Sequence, residues 1–289
     1  MNVNPNFESK CFGKCIIAGE HAVIRGGTAV VFPVMSCSLN AQYFESKKPL
    51  EIISENIDRD FEQAIIQTLD LACDKAKVKM NKLLGELRIK NSVPVGSGLG
   101  ASAVLCVTIA RFFNYKKWIL EEKIIPFATD LENFFHGKSS GVDIAVVQLG
   151  EPIKFQKDAR YEPLNLKLNF QLYVTYTGEK SKTSDCVKKV SGIFEKEPEL
   201  GHKIDQQMKK AVSFVETESM DSWIKAFEIA SNCFELWGLV TPQMIIHMSW
   251  VLSQGALGLK PTGSGGGGYI LSIWDKLPPQ EFLAKAIKV

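Results

Sequence analysis

The feature that most constrains this chain is a glycine-rich turn between a strand and a helix. The turn runs Pro94-Val95-Gly96-Ser97-Gly98-Leu99-Gly100-Ala101-Ser102, with glycine at three of five consecutive positions. Before it, Leu87, Ile89 and Val93 alternate with polar and charged residues, which predicts a strand with one exposed face. An apolar helix is predicted after it, from about 102 to 113. Glycines let a backbone approach a ligand, and a helix N-terminus offers free N–H groups. The turn therefore predicts an anion site suited to phosphate.

Two other phosphate-binding loops and a ligand-free turn compete with this interpretation. A Walker A loop requires a lysine after its last glycine, and no lysine follows Gly100. A dinucleotide-binding fingerprint fits formally, because Gly96-x-Gly98-x-x-Ala101 is followed about 20 residues later by Glu121. That fold needs a buried parallel strand before the loop, and Arg88 and Lys90 argue against one. A plain tight turn stays open, although three glycines reduce its stability.

Composition excludes several classes of protein. Of 289 residues, 45% are hydrophobic and 23% are charged, which is ordinary for a globular protein of about two domains. The 34 basic and 32 acidic residues give a net charge of +2, which argues against a dedicated nucleic-acid binder. The sequence contains no apolar run of about 18 residues, so no membrane-spanning helix is expected.

The seven cysteines predict free thiols rather than disulfides or a metal site. Their number is odd and no CxxC pair occurs. Cys11, Cys15 and His21 fit no standard zinc spacing. Free thiols are typical of a reducing compartment, so the expected location is the cytoplasm.

A polar segment from Lys157 to Lys167 predicts a domain boundary. We therefore predict one domain over residues 1–165 and a second over 166–289. The predicted strands lie at 14–19, 28–34, 36–46, 170–176 and 269–274. The predicted helices lie at about 60–79, 119–135, 182–191, 202–217, 221–237 and 242–255.

The N-terminal segment GKCIIAGEHAV places three chemistry-bearing side chains around one apolar strand. Lys14 stands at the start of this strand, and Glu20 and His21 lie in the turn after it. Taken alone, each has an ordinary explanation, since lysines solvate strand ends and polar residues form turns.

Two later segments also place functional residue types in turns. ENFFHGKSSGVD, from Glu132 to Asp143, ends one helix and opens another. Asp143 then lies in a first helical turn, where the helix dipole favours a carboxylate. The segment from Lys260 to Tyr269 carries five glycines in six residues between structured flanks. That position favours a loop pressed against a ligand over a flexible linker.

Together these segments resemble the motifs of the GHMP kinases, which include galactokinases and homoserine, mevalonate and phosphomevalonate kinases. PVGSGLGASA is similar to the family's PxxxGLGSSA phosphate loop, and KPTGSGGGGYILSI to its KLTGAGGGGC segment. GKCIIAGEHAVIRGGTAV and HGKSSGVD are similar to the forms in the mevalonate kinase branch. The motifs follow the family's order over nearly the whole chain.

The chain departs from the family pattern at a few positions. Ala101 stands in place of the first loop serine, and Pro261, Ser264 and Tyr269 replace the usual Leu, Ala and Cys. The chain is also shorter than is usual in that branch, which bears on substrate selectivity and feedback inhibition more than on the chemistry.

The resemblance implies a two-lobed α+β fold. Its N-terminal lobe would be ribosomal-protein-like, with a left-handed βαβ nucleotide site, and its C-terminal lobe ferredoxin-like. The implied activity transfers the γ-phosphoryl group of ATP to the primary hydroxyl of mevalonate, a step in isoprenoid precursor synthesis.

The resemblance also implies site residues. Asp143 would take the alcohol proton with Lys14 beside it, and Mg²⁺ would bind Ser102 and Glu132. The phosphates of ATP would contact Pro94, Gly96, Ser97, Gly98, Leu99, Gly100, Ala101 and Ser102. The substrate would contact Lys14, Glu20, His21, Asp143, Thr183 and Gly265.

Other functions stay open at this point. The chain could phosphorylate phosphomevalonate or a sugar, or serve as a non-catalytic sensor derived from a kinase. The residues that the resemblance assigns to catalysis and Mg²⁺ binding are all present, namely Lys14, Ser102, Glu132 and Asp143. Their presence argues against a kinase that has lost its activity. An RNA-associated protein is disfavoured by the charge of +2. We expect a small-molecule substrate, no nucleic-acid or membrane partner, and a monomer or homodimer.

Overall fold

The computed structural model describes residues 4–55, 57–137, 139–156 and 160–289, which form a mixed α+β protein with two sheets. The strands are β1 (Phe7–Ala18), β2 (Thr28–Pro49), β3 (Glu51–Glu55), β4 (Leu84–Asn91), β5 (Ile153–Gln156), β6 (Arg160–Pro163), β7 (Gln171–Tyr176), β8 (Gly258–Thr262), β9 (Tyr269–Trp274) and β10 (Ala286–Lys288). The helices are α1 (Arg59–Ala76), α2 (Ala101–Tyr115), α3 (Ile124–His136), α4 (Val142–Leu149), α5 (Thr183–Lys196), α6 (Pro198–Phe214), α7 (Met220–Leu236), α8 (Pro242–Ser253) and α9 (Gln280–Leu283). Among the described residues, no helix has the length and apolar character needed to cross a membrane.

The long strand β2 organises the first sheet. Its later part pairs antiparallel with β4, where Leu39 lies opposite Asn91, and its early part pairs antiparallel with β5. β3 pairs parallel with β4, so the strand order is β3-β4-β2-β5-β6, with β1 on β2. The sequence predicted two strands over 28–34 and 36–46. The structure joins them, because no glycine or asparagine turn separates Val34 from Cys37.

Strand β4 has the predicted exposed face. Leu87 and Ile89 are buried, and the alternating Arg88 and Lys90 are exposed. The sheet neighbours of β4 are one parallel and one antiparallel strand. A dinucleotide-binding fold buries the strand before its glycine loop on both faces, so that alternative does not fit.

The chain divides into two compact units, each built from separated stretches of sequence. One unit contains residues through Gly13, Cys37–Val95 and Gly100–Gly150. The other contains Lys14–Ser36, Gly96–Leu99 and Glu151–Val289. The predicted division at residue 165 stays a prediction.

Helix α2 forms the centre of the first unit. Residues on all its sides are buried, including Val104, Leu105, Val107 and Ile109 at 0% exposure. A helix that is apolar all round lies in a core, and α2 packs against α1, α3 and α4. This packing anchors the first turn of α2, which directly follows the glycine-rich turn.

The second unit contains an antiparallel sheet of order β10-β7-β9-β8. The helices predicted in this half are confirmed as α5 to α8, although α6 begins earlier, with Pro198 in its first turn. The strand predicted at 269–274 is confirmed as β9. β8 and β10 were not predicted, because β8 contains glycine and proline and β10 has three residues.

Candidate active site

The first glycine loop is held in a conformation that only glycine adopts without strain. Gly96, Gly98 and Gly100 have φ of 71°, 95° and 84°. Between them, Ser97 and Leu99 are buried, and a Cβ added to Gly98 would meet nothing within 4 Å. The loop is therefore anchored on its inner side and leaves open space on its outer side.

The same loop ends at the N-terminus of α2. Gly100 occupies the N-cap position, where no side chain supplies a capping hydrogen bond. The first N–H groups of a helix need partners, and anions bind such sites with help from the helix dipole. The predicted phosphate site therefore has the expected local geometry.

The second glycine loop, residues 263–268, lies against the first. A Cβ on Gly268 would come within 3.0 Å of Ser97 O, and one on Gly263 within 3.8 Å of Gly98 O. The backbone N and Oγ1 of Thr177 both donate to Gly268 O at 2.9 Å. The first loop is thus supported by the second, and the second by the end of β7.

The glycines of the second loop also have positive φ, and close packing adds a second reason for glycine there. A Cβ on Gly265 would lie 2.9 Å from side-chain atoms of Phe234 and Leu239. One on Gly267 would lie 2.9 Å from Glu179 O. At these positions the Cβ side of the loop faces protein, so the predicted contact of Gly265 with a ligand would use its backbone.

Lys14 and Glu20 bracket the second half of β1. Lys14 is 4% exposed, and its backbone N donates to Leu99 O at 2.9 Å, which ties β1 to the first loop. Glu20 is 1% exposed and accepts a hydrogen bond from Lys260 Nζ. Burial raises the pKa of the Glu20 carboxyl, although the charge of Lys260 acts in the opposite direction.

His21 is held in an unusual backbone conformation next to the second loop. Its φ of 57° is rare for a residue other than glycine. Its Nε2 lies 2.9 Å from Ser264 O, and its ring centroid lies 5.0 Å from that of Trp237. Burial lowers the pKa of His21 to about 4, so the imidazole is neutral at pH 7 and Nε2 is the donor to the carbonyl.

Trp237, just after α7, was not selected by sequence reasoning. Its side chain is buried, and its Nε1 has no hydrogen-bond partner among the described residues. Buried donors without partners lower stability and are uncommon outside functional sites. Nothing in the local sequence distinguishes this tryptophan from an ordinary core residue.

The first unit contains Ser102, Glu132 and Asp143. Glu132 in α3 is 1% exposed, and its Oε2 accepts a hydrogen bond from Ser139 Oγ. Ser139 Oγ also accepts from Gly141 N at 3.0 Å, and Gly141 caps α4 with φ of 81°. This chain of contacts links Glu132 to the helix turn that carries Asp143. Lys138 of the same motif lies outside the described residues.

The predicted site residues thus form two groups. The second unit holds Lys14, Glu20, His21, Gly96, Ser97, Gly98, Leu99 and Gly265, and Thr183 is the exposed first residue of α5. The first unit holds Pro94, Gly100, Ala101, Ser102, Glu132 and Asp143.

A cavity of about 290 Å³ in the first unit was also missed by sequence reasoning. Its lining includes Phe61 in α1 and the backbone stretch Asn91–Val95, which leads into the glycine loop. Asp58, also in the lining, caps α1 by accepting from Phe61 N at 2.8 Å. The residues that line the cavity come from distant segments of the sequence, so no local pattern predicts it.

The oxygen donors near the phosphate loop suit a metal that also binds phosphate. Among the described residues, no group of three or more His, Cys, Asp or Glu side chains could hold an ion. Mg²⁺ in kinases is usually held by one or two protein oxygens together with phosphate and water oxygens. The hydroxyl of Ser102 and the carboxylate of Glu132 fit that pattern.

Comparisons with known proteins agree with this geometry. Residues 64–151 match the family described as GHMP kinases N terminal domain. The mevalonate kinase of Pyrococcus horikoshii is 27% identical, over 96% of this chain and 90% of its own length. The structure of Methanococcus jannaschii mevalonate kinase gives a TM-score of 0.80 at 17% identity, over 98% of this chain and 95% of that one. The structure of L. major mevalonate kinase in complex with R-mevalonate gives 0.77 at 21%, over 94% and 88%.

Together with these relatives, the glycine loop at a helix N-terminus indicates an enzyme that transfers phosphoryl groups. Residues 64–151 match the GHMP kinase N-terminal domain, and the curated relatives with similarity along most of the chain are mevalonate kinases. The predicted fold class is confirmed, the match over residues 64–151 supports the predicted family, and kinases of this kind use ATP as the phosphoryl donor.

Proposed function

We propose that this kinase transfers the γ-phosphoryl group of ATP to the primary hydroxyl of mevalonate. The observation that carries the proposal is the first glycine loop, which is open on its outer side and leads into α2. Similarity to mevalonate kinases along 96% of the chain supports the choice of acceptor.

The loop from Pro94 to Ser102 would bind the phosphates of ATP through backbone N–H groups. The adenine would lie in the cavity beside Asn91–Val95, because these residues directly precede the loop. Its volume of about 290 Å³ suits one planar ring system rather than a whole nucleotide. The lining combines apolar residues such as Phe61 and Val95 with polar ones such as Asn91 and Ser92, which would suit a purine.

Ser102 and Glu132 would hold Mg²⁺, which supplies positive charge that neutralises phosphate oxygens. The hydrogen bond from Ser139 fixes one oxygen of Glu132 and so restricts how the carboxylate is oriented. Ser102 lies in the first turn of α2, whose packing keeps it in place.

Asp143 would accept the proton of the primary hydroxyl as that oxygen forms its bond to the γ-phosphorus. The bond from this phosphorus to the bridging oxygen of ATP breaks, and ADP leaves. The transition state of phosphoryl transfer is loose, so the proton would move late and the residue would chiefly orient the hydroxyl. Lys14 would stabilise negative charge on the phosphoryl group in transfer.

Glu20, His21, Thr183 and Gly265 would contact mevalonate. Glu20 offers a hydrogen-bond acceptor, and His21 is an uncharged ring at pH 7 because of its low pKa. Gly265 would contribute only backbone, since its Cβ position faces Phe234 and Leu239. The seven free cysteines fit a reducing compartment, so we propose a cytoplasmic location with small molecules as partners.

The test is ADP release by the purified protein with MgATP and each of mevalonate, phosphomevalonate, galactose and homoserine. Background ATP hydrolysis without an acceptor is subtracted. We expect ADP release with mevalonate. Release only with another acceptor would overturn the proposed substrate and keep the mechanism. A protein that binds ATP in a thermal-shift assay but turns over no acceptor would instead fit the sensor hypothesis.

A further inference from the structure

Lys260 in β8 is a fully buried cation for which the proposed chemistry gives no task. Its side chain is 0% exposed. Its Nζ donates to Glu20 Oε1 and lies 3.4 Å from Ile16 O. The ammonium also lies 5.5 Å from the ring centroid of Phe234 and 6.0 Å from that of Phe227.

Stability alone does not account for this ion pair. Removing two charges from water is costly, and replacing a buried pair by apolar residues is often neutral or stabilising. An ion pair with exposures of 0% and 1% therefore suggests that the carboxylate itself is needed.

The two oxygens of Glu20 differ in their surroundings. Oε1 is held by Lys260, whereas Oε2 is buried without a hydrogen-bond partner among the described residues. A carboxylate oxygen in that state is an acceptor ready for a donor such as a hydroxyl group. The pairing of Oε1 determines how Oε2 is presented.

The pairing of strand β8 within its sheet fixes the backbone of Lys260. Lys260 pairs with Leu271 of β9 within the antiparallel ladder. Two residues on, and on the same face of the strand, Thr262 donates from Oγ1 to Ile16 O at 2.8 Å. Both side chains thus contact the same carbonyl of β1, the strand that precedes Glu20.

We propose that Lys260 is a positioning residue for the substrate: it holds Oε1 of Glu20 so that Oε2 accepts a hydrogen bond from a substrate hydroxyl. The inference rests on the proposed function, because it assigns Glu20 to the acceptor alcohol. Lys260 acts through Glu20 and does not touch the reacting atoms.

The test compares Glu20→Gln, Lys260→Met and the double variant by steady-state kinetics with mevalonate and ATP. Loss of a charge-assisted hydrogen bond corresponds to about tenfold or more in KM for mevalonate, and we expect this for both single variants. KM for ATP should stay within about twofold, because neither residue belongs to the phosphate loop. The control is Lys154→Met, which breaks a half-exposed pair with Glu216 in the same unit and should change neither constant.

The double variant decides between positioning and general support. If Lys260 acts only through the Glu20 carboxylate, Lys260→Met should add little to the KM already raised by Glu20→Gln. Independent effects that multiply, or equal rises in both KM values, would overturn the proposal. Lys260→Met leaves a buried carboxylate without its cation and can unfold. In that case the comparison of Glu20→Gln with the double variant answers the same question, because it does not need the single Lys260→Met variant.

The wild-type protein tests the proposed function separately from the inference about Lys260. If another alcohol of the panel is the acceptor, the same variants are measured with it, and the proposal for Lys260 stands or falls on those KM values. If no acceptor releases ADP, the proposed function and this inference are both overturned.

Discussion

The two glycine-rich loops share positive φ values at their glycines but differ in the space around them. In the loop at 96–100, the backbone takes positive φ values and Gly98 faces open space. In the loop at 263–268, added Cβ atoms on Gly265 and Gly267 would collide with protein atoms at 2.9 Å. The first loop therefore has open space beside Gly98, whereas Gly265 and Gly267 of the second loop are packed closely against other residues.

This difference separates binding from support. Backbone N–H groups next to open space suit an anion, whereas a loop packed between α7, β7 and the first loop holds other parts in place. A glycine count alone cannot distinguish the two, because it reports permitted conformations and not what occupies the space around them.

The comparison is tested most strongly by Gly267→Ala. Gly267 has φ of 133°, and the new Cβ would lie 2.9 Å from Glu179 O. Backbone strain and overpacking each cost about 1–3 kcal/mol, so we expect a loss of about 4 kcal/mol in the free energy of unfolding. Urea denaturation measures it. A loss below about 1 kcal/mol would contradict the close packing of the second loop.

The contact of His21 with the second loop predicts a pH dependence of stability. The pKa of His21 is lowered by burial to about 4 from its ordinary value of 6.5, so between these pH values the unfolded chain binds the extra proton. Stability is complete above about pH 6.5 and falls toward pH 4 by about 3 kcal/mol.

The measurement is the free energy of unfolding against pH for the wild type and His21→Asn. Asparagine tolerates the positive φ and does not titrate. The variant should have the shallower slope, and His202→Asn, on the surface of α6, serves as the control for losing an imidazole. Equal slopes for the wild type and His21→Asn would rule out this contribution.

Asp143→Asn tests whether the open first loop belongs to a catalytic centre. We expect kcat to fall by about 10²-fold or more, the usual contribution of a positioned general base. Because asparagine has the same shape, the midpoint of thermal unfolding should shift little. Activity near the wild-type value would remove Asp143 from the proposed mechanism.

Gly98→Ala should have the smallest effect on stability. The φ of 95° costs about 1 kcal/mol, and no atom lies within 4 Å of the new Cβ. KM for ATP should nevertheless rise, since the methyl group would occupy the space proposed for phosphate. The matched control is Gly26→Ala, which has the same φ of 95° and the same open space away from the loop. A KM unchanged in Gly98→Ala would contradict the phosphate site.

Sequence reasoning correctly predicted the local structure around the proposed site, which depends on local patterns. The alternation in β4 and the apolar helix α2 placed the glycine loop correctly between a strand and a helix. It also placed Asp143 in a first helical turn, where the structure has it. It did not find Trp237, Lys260 or the cavity beside Asn91–Val95, because each depends on segments far apart in the chain.

What the sequence by itself determined is therefore the local geometry: where the chain must turn, which faces are apolar, and where a helix N-terminus meets glycines. Tertiary structure alone decided that β2 runs unbroken and that Gly265 meets Phe234. It also decided that Lys260 pairs with Glu20, which lies 240 residues earlier in the sequence. The reason is physical, because periodicity and φ preferences act over a few residues. The partner of a buried charge or the wall of a cavity is determined by packing between distant segments.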